Sequence, residues 1–388
     1  MATIAENLIS LNEAKANIKT AIEGKGQDLT DVPFTQYADK INEIQTGGGE
    51  DRLQWKCDNM KTLYNEFSDY TGTQIPILKG LNTTEVVNMS RLFYNCKNLE
   101  NVDLSGFNTN NVTSMDSMFY NCSKLTDIDL SSFNTSNVTT MYQMFYYCTN
   151  LTDLDLSSFN TSNVTSMYRM FYNCKNLISL NIDNFNVSNV VNMSGMFYYC
   201  NNLTDLDLSK FNASKVTSTN SMFDSCKGLT SLDFSSFDMS KVTDMNYMFN
   251  GCSNLETILN INAISASNLT YIFSNCKSLK NLTIYNVKKS LRLALGSTYG
   301  TLLTLDSLVH TIKELWDLTG TTSQTLTLSP ASKNLIADVY VKLVDVTEEM
   351  IAQDQYASNK KPCVVCESTD EGAMTITEYA TSKNWAIA

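Results

Sequence analysis

The sequence predicts an α/β solenoid, a ribbon of 26-residue strand–turn–helix units preceded by a small N-terminal helical module, and three observations predict it. First, the tetrapeptide Phe-x-x-Cys ends at Cys96, Cys122, Cys148, Cys174, Cys200, Cys226 and Cys252 in steps of 26 residues, and again at Cys276 after 24. Second, columns of Phe (107 to 237), Val (86 to 242) and Leu (99 to 255) keep the same period. Third, the apolar spacing inside each unit changes from alternation to helical steps. So short a unit cannot bury both apolar faces alone, so copies must stack, Leu on Leu and Phe on Phe.

The elements follow in chain order. Residues 1–46 form a separate module: Thr3-x-x-Glu6 is a capping box, Ile4, Leu8, Leu11, Ile18 and Ile22 fall at helical spacing, and Pro33 starts a second helix running to Ile44. Gly47-Gly-Gly49 opens a linker and N-terminal cap over 47–80. The array occupies 81–285, and its unit is best seen in Leu151 to Lys175. There Leu154 and Leu156 alternate with Asp153 and Asp155, the pattern of a short strand. Asn160-Thr-Ser-Asn163 is turn chemistry, and Val164, Met167, Met170, Phe171 and Cys174 then make the stripe of a short helix. Residues 286–388 lose the Phe-x-x-Cys signal. They keep strand-like pieces at Thr301 to Leu305 and Thr325 to Leu328, with a helical pattern from Ser307 to Asp317 between them, and read as irregular repeats closing in a cap.

Composition narrows the function. Lys and Arg total 28 against 40 Asp and Glu, and the net charge of −12 argues against nucleic acid as a partner. With His310 as the one histidine, relays and His-rich metal sites have little to draw on, and the expectation is a protein that is not an enzyme and has no cofactor. Glu6, Asn7, Asn12, Glu13, Lys15 and Lys19 interrupt any signal-peptide core, and no run reaches the ~18 apolar residues of a membrane span. Synthesis in a reducing cytoplasm without membrane insertion is therefore expected.

Met-Phe-Tyr-Asn-Cys-Lys-Asn-Leu (170–177) and Leu-Asp-Leu-Ser-Ser-Phe-Asn-Thr-Ser-Asn-Val-Thr (154–165) resemble the BspA-type leucine-rich repeats of bacterial and protist surface proteins, and the likeness extends over about 81–285. It implies a right-handed ribbon used for adhesion and binding. The string from Leu11 to Gly26, continued by Pro33 to Ile41, is similar to N-terminal modules of bacteriophage tail and fibre proteins, and Met374 to Ile387 is similar to the endings of phage structural proteins. These two likenesses imply a virion component, in the tail or an appendage, joined to other virion proteins through the N-terminal module. The solenoid would then meet a host-cell surface glycan or protein, and the fibre likeness suggests a homotrimer. A bacterial surface adhesin of the BspA type is the alternative reading.

Two residue rows are the candidate ligand-binding surfaces. Tyr94, Tyr120, Tyr146, Tyr172 and Tyr198 follow the buried Phe in five successive units, with Tyr142 and Tyr168 nearby. Such rings suit sugars and protein hot spots, and equally they can stack unit on unit. Asp103, Asp129, Asp155, Asp207 and Asp233 form the second row, interrupted by Asn181, with Asp127, Asp153 and Asp205 in a partial third. Carboxylates so placed either keep the sheet face solvated or draw Ca²⁺ or a cationic partner. The repeated cysteines are expected as packed free thiols without a disulfide ladder, because parallel side-chain vectors give poor bridge geometry. Cys363-Val-Val-Cys366 lacks the second pair and nearby histidine of a zinc site, so strand alternation explains it and no metal is expected.

Overall fold

The computed structural model describes residues 61–75, 78, 82–293, 303–315, 322–343 and 363–388. The helical module expected over 1–46 lies outside the described residues. Parallel bridges link Thr62, Asn88, Ser114, Thr140, Ser166, Asn192, Ser218, Asp244 and Asn268 in succession, so each residue in this series marks one coil laid on the last. The coil limb carrying the Leu-x-Leu pattern forms short parallel strands. β1 (Asp153–Asp155) pairs with β2 (Ser179–Asn181), and β3 (Ser231–Asp233), β4 (Thr257–Asn262) and β5 (Asn281–Tyr285) form a sheet in that order. In β1 the central Leu154 is buried and the flanking Asp153 and Asp155 are exposed, as the alternation requires.

The expected short helix of each unit is corrected. The stripe residues Val164, Met167, Met170, Phe171 and Cys174 are fully buried, but they sit on a ribbon of turns. In one coil the N–H groups of Ser117, Phe119 and Asn121 donate to the carbonyls of Tyr142, Met144 and Tyr146 on the next coil, at 2.7, 2.9 and 2.6 Å. The alternate N–H groups of Met118, Tyr120 and Cys122 close four-residue β-turns on Met115, Ser117 and Phe119, at 3.3, 3.1 and 3.2 Å. Each turn sequence needs left-handed residues, here Ser117 (φ 54°) and Asn121 (φ 59°), and the same two positions are left-handed in coil after coil. The physical reason is thickness. An α-helix is about 10 Å across, whereas paired strands lie about 4.8 Å apart, so a helix in every coil would splay the stack. The turn ribbon is thin enough to let both limbs pair.

Stacking then forms the core. Phe93, Phe119, Phe145, Phe171, Phe197, Phe223, Phe249 and Phe273 make one column of rings 5.3–5.8 Å apart. The cysteines do more than fill space, since Cys122, Cys148, Cys174 and Cys200 each donate the thiol to the carbonyl of a Phe in the preceding coil, at 3.0–3.1 Å. A buried acceptor is thereby satisfied by a side chain that otherwise packs as a small hydrophobe. Buried Thr109, Thr135 and Thr161 likewise donate to Asn134, Asn160 and Asn186 carbonyls at 2.9–3.0 Å and accept from the same residues' N–H groups. Phe67 stacks on Phe93 at 5.9 Å, so the segment assigned to the N-terminal cap carries a turn ribbon of the same kind, with Tyr70 where later coils have cysteine.

The C-terminal part closes the stack with different elements: β6 (Leu291–Arg292), α1 (Leu305–Lys313), β7 (Gln324–Thr327), α2 (Pro330–Ile336), β8 (Tyr340–Leu343), β9 (Cys363–Cys366), β10 (Met374–Thr375), α3 (Ile376–Ser382) and β11 (Trp385–Ile387). β6, β7 and β11 are parallel, while β8 pairs antiparallel with both β9 and β10. The strand-like reading of Thr301 to Leu305 is corrected where described: Thr304 caps α1 by accepting from the Ser307 N–H, and Leu305 begins the helix. Cys363-Val-Val-Cys366 is a strand, paired in register with β8. Among the described residues no helix is long and apolar enough to cross a membrane.

Candidate recognition surface

The turn ribbon decides where the tyrosines go. Its inward positions hold Met, Phe and Cys, so the residue after each Phe points outward beside its counterpart in the next coil. Tyr94, Tyr120, Tyr146, Tyr172 and Tyr198 consequently form one column of nearly parallel rings, with centroids 4.3–4.7 Å apart and planes within 15° of each other. All five are half-buried. The expected partial column of Tyr142 and Tyr168 stacks beside it at 5.3 Å. Tyr147 lies against Tyr146 and Tyr172 at 4.8 and 5.9 Å, and Tyr199 against Tyr198 at 4.9 Å.

Ring-on-ring burial shapes the chemistry of this face. Burial, and then the neighbouring Tyr146 and Tyr94, push the Tyr120 phenol up to about 12. Burial raises Tyr142, Tyr146, Tyr172 and Tyr198 as well. At neutral pH Tyr120, Tyr142, Tyr146, Tyr172 and Tyr198 are therefore protonated hydroxyls, each able to donate and accept. Both recognition and coil stacking, the two readings open for this row, use the same rings: their faces hold the coils together and their edges and hydroxyls meet solvent.

Two cations belong to the surface and were missed in the sequence because they do not repeat. Arg91 lies 5.2 Å from the Tyr94 centroid, and Arg169 lies 4.8 and 5.1 Å from those of Tyr168 and Tyr172, joining the two tyrosine columns. Both occupy a left-handed ribbon position, held by Ser117, Gln143, Gly195 and Ser221 in neighbouring coils. Following that column at the 26-residue period would have placed arginine next to the tyrosines.

The Asp row has a structural occupation. Asp103, Asp129, Asp155, Asp207 and Asp233 are exposed, and each accepts the N–H of the Ser two residues on, at 2.8–3.0 Å. Asn181 does the same for Asp183 at 3.3 Å, which is why Asn fits the row. Hydrogen bonds from Ser131, Ser157 and Ser209 hold Asp129, Asp155 and Asp207 below the usual carboxylate range. Asp233 is lowered chiefly by Asn260, which donates to it at 2.7 Å. Among the described residues no group of three or more His, Cys, Asp or Glu is placed to hold a metal ion.

Comparison with known proteins bears on the expectations. Solved structures similar to this chain include a leucine-rich cell surface protein from Faecalibacterium prausnitzii (19% identity, 52% of this chain and 77% of that chain, TM-score 0.18). A leucine-rich-repeat protein from Eubacterium ventriosum (16%, 56% and 77%, TM-score 0.25) and one from Leptospira interrogans (17%, 66% and 65%, TM-score 0.26) are similar too. No curated protein matches. The virion location expected from the two end segments is corrected: the similar bacterial proteins are of the leucine-rich-repeat kind, one of them a cell surface protein, and none is a phage component. The phage-like N-terminal string lies outside the described residues, and the Met374 to Ile387 string forms β10, α3 and β11. Matched over 58–180 and 165–287, more than half of its length, the chain belongs to the family described as Mycoplasma protein of unknown function, DUF285.

Proposed function

We propose that this protein is a non-enzymatic bacterial surface protein that binds a partner through its tyrosine face. The observation that carries the reading is the five-ring tyrosine column with its neighbouring pair, a rigid, half-exposed strip of aromatic edges and neutral hydroxyls. Rings already locked by stacking lose little entropy on binding, which is the property that makes Tyr effective at interfaces. A cell-surface location is supported by the Faecalibacterium prausnitzii protein, described as a cell surface protein. Binding without catalysis is supported by the same strip: it repeats one kind of group, and its phenols are shifted away from neutral pH.

The test uses the labelled full chain on intact mammalian and bacterial cells, beside a Tyr142→Ser, Tyr168→Ser double variant. Serine stands at this coil position as Ser90 and Ser194, so the variant keeps the coil geometry. Saturable binding that falls at least severalfold in the variant is expected. Binding equal in both proteins, or no binding to any cell, overturns the reading, as does an antibody against 81–285 that fails to label intact producing cells.

A further inference from the structure

The tyrosine columns end at different coils, and the step between them is a cleft. After Tyr168 the column continues as Ser194 and Asn220, and after Arg169 as Gly195 and Ser221, while the main column runs one coil further to Tyr198 before giving way to Asp224. The step leaves a cleft of about 190 Å³ whose lining includes Arg169, Gly195 and Tyr198. A Cβ built on Gly195 would meet the Arg169 Cγ at 3.1 Å, so a side chain there would crowd the arginine and take up space beside it.

Arg169 is held by rings and not by a carboxylate: its guanidinium lies over Tyr168 and Tyr172, and among the described residues no acid forms an ion pair with it. In a chain of net charge −12 this is a place prepared for a negative group from outside. The rest of the lining is hydroxyl and amide, from Ser194, Ser221, Asn220 and the tyrosines. Room is for one ring, since sites for drug-sized ligands measure about 300–1,000 Å³. One anionic group, several hydroxyl partners and an aromatic wall describe an acidic sugar better than a peptide side chain, which would bring one carboxylate and little else to bond.

We propose that the Arg169 cleft binds a carboxylate-bearing sugar residue, a uronic or sialic acid, with Arg169 taking the carboxylate and Tyr198 the ring. The inference rests on the surface-binding reading and gives it a ligand class. Calorimetry and chemical-shift titration of the full chain with sialyllactose, a glucuronic-acid disaccharide and neutral lactose test it, and the two acidic probes separate the two sources of the carboxylate. At least one acidic sugar is expected to bind about tenfold or more tightly than lactose, a difference of about 1.4 kcal/mol, and more weakly as salt is raised. R169Q and G195Q install the glutamine that Gln143 already supplies at this position; each should abolish the preference, the first by removing the cation and the second by filling the cleft. R292Q, on β6, should leave it unchanged. Acidic sugars binding no better than lactose, or binding R169Q as well as the parent chain, overturns the proposal; if G195Q melts early, R169Q and the salt series decide. An acidic peptide outcompeting both sugars overturns it as well. Cell binding that persists without any sugar preference sinks this site and spares the surface reading, whereas absent cell binding sinks that reading itself.

Discussion

The repeat array and the C-terminal cap satisfy the same backbone requirement in opposite ways. In α1 and α3 most of the backbone hydrogen bonds stay inside the element, with Thr304 and Thr375 capping the first turns and Thr375 and Glu378 forming a full capping box; only their first residues reach out, Ile376 donating to the Val339 carbonyl and Thr304 to that of Lys280. In the array every second ribbon N–H crosses to the next coil, so no coil is complete without a neighbour. The difference teaches why one stretch must repeat and the other need not. A helix is self-sufficient and can sit singly at the end of a stack, whereas a ribbon that exports half its hydrogen bonds is stable only in a series, as the additive picture of repeat proteins holds.

This contrast sets the order of effects. Phe171 is buried between Phe145 and Phe197, and Phe171→Ala should cost about 3–5 kcal/mol, because the cavity opens at two coil interfaces at once. Urea unfolding of the full chain checks this, and a cost below about 1 kcal/mol would deny that the column bears the stack. Cys174→Ala removes the thiol donor to Phe145 and a little volume, and should cost about 1–2 kcal/mol. Thr375→Ala, in the cap, should cost about 0.5–2 kcal/mol by loss of the capping box, and hydrogen exchange should show the loss confined to α3 and its sheet neighbours. If Cys174→Ala instead loosens only one coil, or Thr375→Ala loosens the array, the contrast between shared and private hydrogen bonding fails.

The buried thiols also give the array a pH response. Burial raises Cys122, Cys148, Cys174, Cys200, Cys226, Cys252 and Cys276 from 9.0, with Cys174 pushed up to about 12. A folded-state value above the unfolded one means the proton is held more tightly in the fold, so this stability is fully present below about pH 9 and is lost as pH rises from there toward the folded values. Array stability should therefore drop between about pH 9 and pH 12, while neutral thiol reagents leave the folded array unmodified below pH 9. The smallest effect concerns the tyrosine column: Tyr120→Phe keeps the ring and its stacking, and should shift unfolding by no more than about 0.5 kcal/mol.

Much of this was legible in the residues. Period alone gave the stack, and the Leu, Phe, Val, Met and Cys columns gave its core, because identical positions must meet when coils lie in register. The turn ribbon was hidden because successive β-turns and an α-helix both place Val164, Met167 and Met170 on one side. The clue was chemical: Asn121, Asn173 and Gly251 recur at a position that needs positive φ, but Tyr147 and Tyr199 adopt it too and blur the signal. The Asp row could have been read from its Asp-x-Ser spacing as a set of turn-closing acceptors. Arg169 and Gly195 escape a search for identical residues, since what makes the cleft is a break in the repeat; only following their variable column at the same period reaches them.

The central claim, that the second limb of each coil is a shared turn ribbon and not a helix, is tested most directly by NMR couplings across hydrogen bonds in the deuterated full chain. The Ser117 amide should couple to the carbonyl of Tyr142, its partner at 2.7 Å on the next coil. Coupling of Ser117 to the Thr113 carbonyl, four residues back, is the α-helical result and would contradict the account.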